Sequence, residues 1–240
     1  MALALIAITP ASVFATPLAI TPGNGQLIKG NQSGTLLSVT SVTPCIAFSG
    51  LAPACSGTAT PFVVSGGDPL FKTGTTGTIA DIKTTFPITS FETVQLTAGG
   101  PAIFDLLNII APTGFSACTT STNSGACETG TFTLTQQSAS QVVISLALNE
   151  IGYTGSKTTG STPYIGVFST TLSGSIAGCT GPNCSDTIGD ILLWEAGGNA
   201  ISSSWSATES PIPGVPEPMT FSLMGAGLLG LGLVARRRKS

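Results

Sequence analysis

Eight carboxylates supply the acid–base chemistry that can be read in this chain: Asp81, Glu92, Asp105, Glu128, Glu150, Asp186, Asp190 and Glu195. Two of them facing each other across ~5–10 Å would make a glycosidase pair. One would protonate the leaving oxygen, and the other would attack or activate water. Their spacing follows no pattern, and the plainer reading of each is a solvated surface acid. Composition excludes the other common catalytic devices. The chain has no histidine, so neither a Ser-His-Asp nor a Cys-His arrangement can form. No GxSxG elbow occurs and no Ser stands three residues before a Lys. No P-loop is present, since no Gly-Lys pair occurs. We therefore assign no catalytic residue, no metal site and no cofactor from sequence.

Two weaker groupings remain. Asn183, Asp186 and Asp190 are crowded enough to offer a calcium ion several oxygens. Their spacing is not that of an EF-hand, and Asp186 is better explained as a helix cap. Trp194, Trp205, Tyr153 and Tyr164 could stack on sugar rings, but aromatics in strands and helices more often fill the core.

The six cysteines fall into close pairs, Cys45/Cys55, Cys118/Cys127 and Cys179/Cys184. An even number in an exported chain reads as disulfides. Fifteen connectivities exist for six cysteines, and the spacing favours three local bridges. Zinc is the rival reading, but gaps of this width without histidine are not ordinary zinc spacing.

The elements that must position these residues are strands. In Gln141–Asn149, Val142, Ile144, Leu146 and Leu148 alternate with small or polar residues, as in a half-buried antiparallel strand. Phe132 and Leu134 alternate in TFTLTQQ. Ile165 and Val167 alternate in PYIGVFST, with Tyr164 and Phe168 on the opposite face. Ile201 and Trp205 share a face in ISSSWSAT. TLLSVTSV, PFVVSG, GTIADIKT, FETVQLT and AIFDLLNII are further strand candidates. Gly, Pro and Asn punctuate them at turn-like intervals. The fold class expected is all-β, a β-sandwich or jelly-roll-like antiparallel domain. One short helix is expected, with Ser185 or Asp186 as N-cap, Ile188, Ile191 and Leu192 inward, and Gly197-Gly198 as its stop.

Both ends read as addresses. The apolar run from Ala2 to Ile8, then Pro10 and Val13-Phe14-Ala15, predicts a secretory signal over 1–15, cut after Ala15. No Lys or Arg precedes that run, which points to a start upstream of Met1. Residues 16–210 form the exported domain, and 211–218 a proline-rich spacer. Residues 219–235 are free of charge. As a helix they reach roughly 26 Å, near the ~30 Å of a hydrocarbon core. The basic tail 236–240 carries Arg236, Arg237, Arg238 and Lys239. Such a cluster stays on the cytoplasmic side, stops transfer and leaves the domain outside.

Val215-Pro216-Glu217-Pro218, the apolar segment and the terminal basic cluster, in that order, resemble the PEP-CTERM sorting signal. The resemblance covers about 26 residues at the C-terminus. It implies recognition by an exosortase, a membrane cysteine transpeptidase of Gram-negative bacteria. It further implies cleavage near the motif and delivery to the cell surface or extracellular matrix. The body is similar to exported proteins bearing this signal. The shared features are the strand Gly77-Thr78-Ile79-Ala80-Asp81, the later FTLT strand, and a last Ser- and Trp-rich strand running into VPEP. That similarity carries fold and location, not an activity.

Net charge narrows the partners. The formal charge is −3, with four of the eight basic residues in the tail. Without the tail, four lysines face eleven acids, a balance of about −7. Such a surface repels nucleic acid and anionic lipid. The expected partners are the exosortase, the membrane before cleavage, and exopolysaccharide in the binding alternative. The expected role is structural or adhesive and non-enzymatic. The alternatives are a carbohydrate-binding module and, behind it, a carboxylate-dependent glycan hydrolase.

Overall fold

The computed structural model describes residues 27–36, 46–48, 59–82, 85–155, 161–176, 178–181 and 183–212. The signal segment, Cys45, Cys55, the sorting motif, the apolar segment 219–235 and the basic tail lie outside the described residues. Among those described, no helix is long and apolar enough to cross a membrane.

The chain order is β1 (Leu27–Leu36), β2 (Ile46–Ala47), β3 (Ala59–Gly67), β4 (Thr76–Ala80), β5 (Ile88–Gln95) and β6 (Pro101–Ile110). It continues with β7 (Ser116–Ala117), β8 (Gly125–Glu128), β9 (Thr133–Ser138), β10 (Gln141–Thr154) and β11 (Thr162–Ser173). Helix α1 (Ile188–Ala196) and β12 (Ile201–Pro211) complete it. The all-β class with one short helix holds. The strands belong to one continuous sheet, antiparallel except where β7 meets β8. Its pairings close on themselves. The order β11-β12-β1-β3-β4-β5-β6-β10 returns to β11 through the β10–β11 ladder. β10 is long enough to serve two neighbours on one edge, β9 with Gln141–Ser145 and β6 with Ala147–Thr154.

The ring has an inside because each strand alternates. In β10 every second residue from Val142 to Gly152 is buried. Directly paired residues on neighbouring strands share a face. The inner face therefore runs from Gly152 to Phe104, from Glu150 to Tyr164, from Gly166 to Glu209 and from Ala207 to Lys29. In β11 the aromatic face is the inner one: Tyr164 and Phe168 are buried, whereas Ile165 and Val167 are exposed. Edge and tilted aromatic pairs fill the interior, with Phe104 against Tyr164 at 5.0 Å and Phe48 against Trp205 at 4.9 Å between centroids.

Helix α1 packs against β9. Its N-cap is Thr187, whose side chain accepts from the Asp190 amide at 3.2 Å. This corrects the expectation of Ser185 or Asp186. The Ser185 amide instead donates to Asp190 Oδ2 at 3.1 Å, and Gln136 Oε1 accepts from the Ile188 amide at 2.8 Å. Ile188, Ile191 and Leu192 are buried, and the helix ends at Gly197 as expected. Gly189 allows the close approach: a Cβ there would lie 2.4 Å from the Thr120 carbonyl oxygen. Two of the three expected disulfides are in place, Cys118–Cys127 and Cys179–Cys184, with Cα separations of 4.9 and 5.5 Å.

Candidate functional site

Four ionisable side chains meet inside the ring. Lys29 comes from β1, Glu92 from β5, Glu150 from β10 and Glu209 from β12, and each is 0% exposed. Lys29 Nζ donates to Glu92 Oε1 and to Glu209 Oε1. It also lies over two rings, 4.4 Å from the centroid of Phe168 and 5.2 Å from that of Phe62. Both are attractive placements for an ammonium. One oxygen from each of Glu92, Glu150 and Glu209 lies within 4.8 Å of the others.

Local backbone features aim these groups inward. β5 is bulged against β6 between Ile88 and Glu92, with Ser90 at φ 50°. A bulge breaks simple alternation and re-aims side chains, and here Phe91 and Glu92 are both buried. Asp105 holds the bulge by accepting from the Ser90 amide at 2.8 Å and from Tyr153 Oη at 3.1 Å. β1 is irregular between Lys29 and Gln32. Space for the carboxyls comes from glycine: a Cβ on Gly166 would lie 2.7 Å from Glu150 Oε1 and 3.4 Å from Glu209 Cγ.

The electrostatics follow from burial. Removal from water pushes the Glu92 and Glu150 carboxyls well above the ordinary range, and the charge of Glu209 pushes the same way. Lys29 opposes that rise only in part. Burial alone would lower the Lys29 ammonium, but Glu209, Glu92 and Glu150 together hold it above its usual value. Three ionised carboxylates and one ammonium would sum to −2 in a water-free interior. Such a charge is too costly to stand uncompensated.

Of the eight acids singled out in sequence, the fold brings Glu92 and Glu150 together, and their separation is near that of a retaining glycosidase pair. Both are sealed, however, and no sugar chain can reach them. Asp81 accepts from the Phe48 amide at 3.0 Å, Asp105 pins the bulge, and Asp190 is engaged at the helix start. Burial raises Asp186 above its ordinary range. Glu128 lies on β8 and Glu195 on α1. Among the described residues, the one cluster of three or more metal-capable side chains is Glu92, Glu150 and Glu209. Lys29 and Glu209 were missed in sequence. The aromatic grouping disperses: Trp205, Tyr153 and Tyr164 are buried, and Trp194 is half-buried with Nε1 donating to the Ala200 carbonyl at 3.1 Å.

A separate pocket of about 60 Å³ opens beside Phe168. Phe48, Leu146, Phe168, Ile201 and Trp205 line it. Of the hydroxyls at its wall, Thr170 Oγ1 pairs with Ser203 and donates to the Ser204 carbonyl at 2.6 Å. The lining therefore suits an apolar group better than a sugar. No family model matches this chain. Neither a curated protein nor a solved structure matches it. The site has to be read from its own chemistry.

Proposed function

We propose that this chain is an exported, exosortase-sorted protein of the cell surface or extracellular matrix, with a structural or adhesive role and no catalysis of its own. The observation that carries it is the ordered C-terminal signal: Val215-Pro216-Glu217-Pro218, a charge-free stretch, then Arg236 to Lys239. Two disulfides support an oxidising destination. The absence of catalysis is supported by the carboxylates themselves, since those that converge are closed off from any polymer. We read the opposed walls of the closed ring as the sandwich-like or jelly-roll-like layering expected of the domain. Its two walls are joined by hydrogen bonds at the sides. A ring of this kind has few free edges, which suits a protein packed densely outside the cell. Peptide mass spectrometry of the C-terminus from the native cells tests the reading. A mature chain ending near Pro216–Pro218 supports it; a chain still carrying residues 219–236 overturns it.

A further inference from the structure

The cluster in the ring is incomplete on one side. Lys29 engages one oxygen each of Glu92 and Glu209. Glu92 Oε2 and Glu209 Oε2 have no partner, and neither oxygen of Glu150 has one. Glu150 is fully buried and aimed at the other two carboxyls. A buried carboxylate with no donor is among the most costly groups a fold can hold. Gly166 nevertheless keeps the space Glu150 needs.

Oxygens bound to one calcium-sized ion at ~2.3–2.6 Å lie at most about 5 Å apart. The three carboxyl oxygens, all within 4.8 Å of one another, fit one such coordination sphere. The charge also closes. Three carboxylates and Lys29 sum to −2, and one divalent ion brings the cluster to neutrality with the lysine in place. A monovalent ion would leave a buried charge. Oxygen-only ligands select hard cations over zinc or copper.

We propose that Glu92, Glu150 and Glu209 form a buried site for one divalent cation of the calcium or manganese type, with Lys29 as the fourth charge of the cluster. The ion sits on the Glu150 side, where the ammonium does not reach. It is loaded as the ring closes, because the carboxyls are sealed in the folded state, so its binding is part of folding. The site is structural and independent of the sorting signal. The competing occupant is a pair of protons shared among the same carboxyls.

The test is elemental analysis of the full chain, purified in detergent from cells grown with millimolar Ca²⁺ and Mn²⁺ and dialysed at pH 7. Melting is then recorded with and without a chelator. The expected result is about one ion per chain, and a melting temperature that chelation lowers. Glu150→Gln should hold roughly a tenth of that ion or less, and its melting should ignore the chelator. An ion-free wild-type chain whose melting is unchanged by Ca²⁺, Mn²⁺ or chelator overturns the proposal and leaves two protons as the neutralising charge. Equal ion content in wild type and Glu150→Gln overturns the assignment to these residues. Should Glu150→Gln not accumulate, the wild-type ion content decides alone, with Glu209→Gln as the second variant.

Discussion

In chelator, the metal-free chain should lose stability as pH rises from 5 to 8, and Glu150→Gln should lose it less steeply. Glu92 and Glu150 carry native pKa values raised well above 4.5, by burial first and by the charge of Glu209 second. The unfolded chain releases those protons near 4.5, whereas the native chain keeps them to higher pH. Above the unfolded value the native state therefore binds more protons, and stability falls with rising pH. Each such proton is worth a little over 1 kcal/mol per pH unit. Two protons give roughly 2–3 kcal/mol per pH unit, or about 5–10 °C in Tm for a domain of this size. Lys29, Glu209 and Tyr164 are the other titratable groups facing the pair. The Lys29 and Tyr164 values are both raised, so neither group changes charge in this window. Glu150→Gln removes one of the two protons, halves the slope and supplies an N–H for a neighbour's unpaired oxygen. Thermal melts at pH 5, 6, 7 and 8 measure both slopes. Wild-type and Glu150→Gln profiles that run parallel would refute the reasoning, because every other acid is common to the two chains.

Lys29→Met should destabilise the chain by about 3–5 kcal/mol at pH 7, since it strips the donor from two buried carboxylates; denaturant midpoints measure this, and a loss under 1 kcal/mol would contradict it. Gly166→Ala should cost about 1–3 kcal/mol by driving a methyl group toward Glu150 Oε1, whereas Gly174→Ala meets no neighbour and should show only the cost of its left-handed backbone, φ 102°. Asp105→Ala should loosen the β5 bulge and speed amide exchange at Ser90, whose N–H it would leave without its acceptor; unchanged exchange at that amide would count against the bulge role. Replacing Cys118 and Cys127 together by Ser should cost about 2–3 kcal/mol for so short a loop, and thiol titration of the unreduced wild-type protein should find neither cysteine reactive.

The sheet was legible in the sequence where alternation was clean. β10 alternates from Gln141 to Gly152 because that stretch buries a single face. The helix was legible from its apolar spacing and glycine stop. Its cap was not, because Thr187 and Asp186 compete for the same role and only the backbone geometry decides. β1 was hidden: Gly30, Asn31, Gln32, Ser33 and Gly34 carry no apolar alternation, yet Gln32 to Leu36 pair in register with Trp205 to Ile201 of β12. With β1 unseen, nothing set Lys29 apart from the other lysines. Glu209 was hidden for a related reason: the strand pattern ISSSWSAT ends at Thr208, whereas β12 runs on to Pro211. Glu92 was seen as an acid but not as an inward one, although alternation with Val94 and Leu96 in FETVQLT places it on the buried face.

Closure of the ring is what turns these separate failures into one site. Glu150 and Glu92 lie on strands that flank β6, and Glu209 and Lys29 lie on strands that pair directly. Only the β10–β11 ladder brings the two pairs face to face. No local pattern encodes that juxtaposition, because it depends on registers summed around eight strands. The energetic consequence is equally non-local. A slope of roughly 2–3 kcal/mol per pH unit, wherever both protons are held, is a large share of a usual 5–15 kcal/mol stability. The folded chain at neutral pH must therefore hold either protons or a cation in this cluster. Whichever it holds, the four side chains make closure of the ring conditional on charge balance. A half-closed ring would leave Glu150 facing water, where it ionises at no cost. The neutralised cluster is stable only in the closed form.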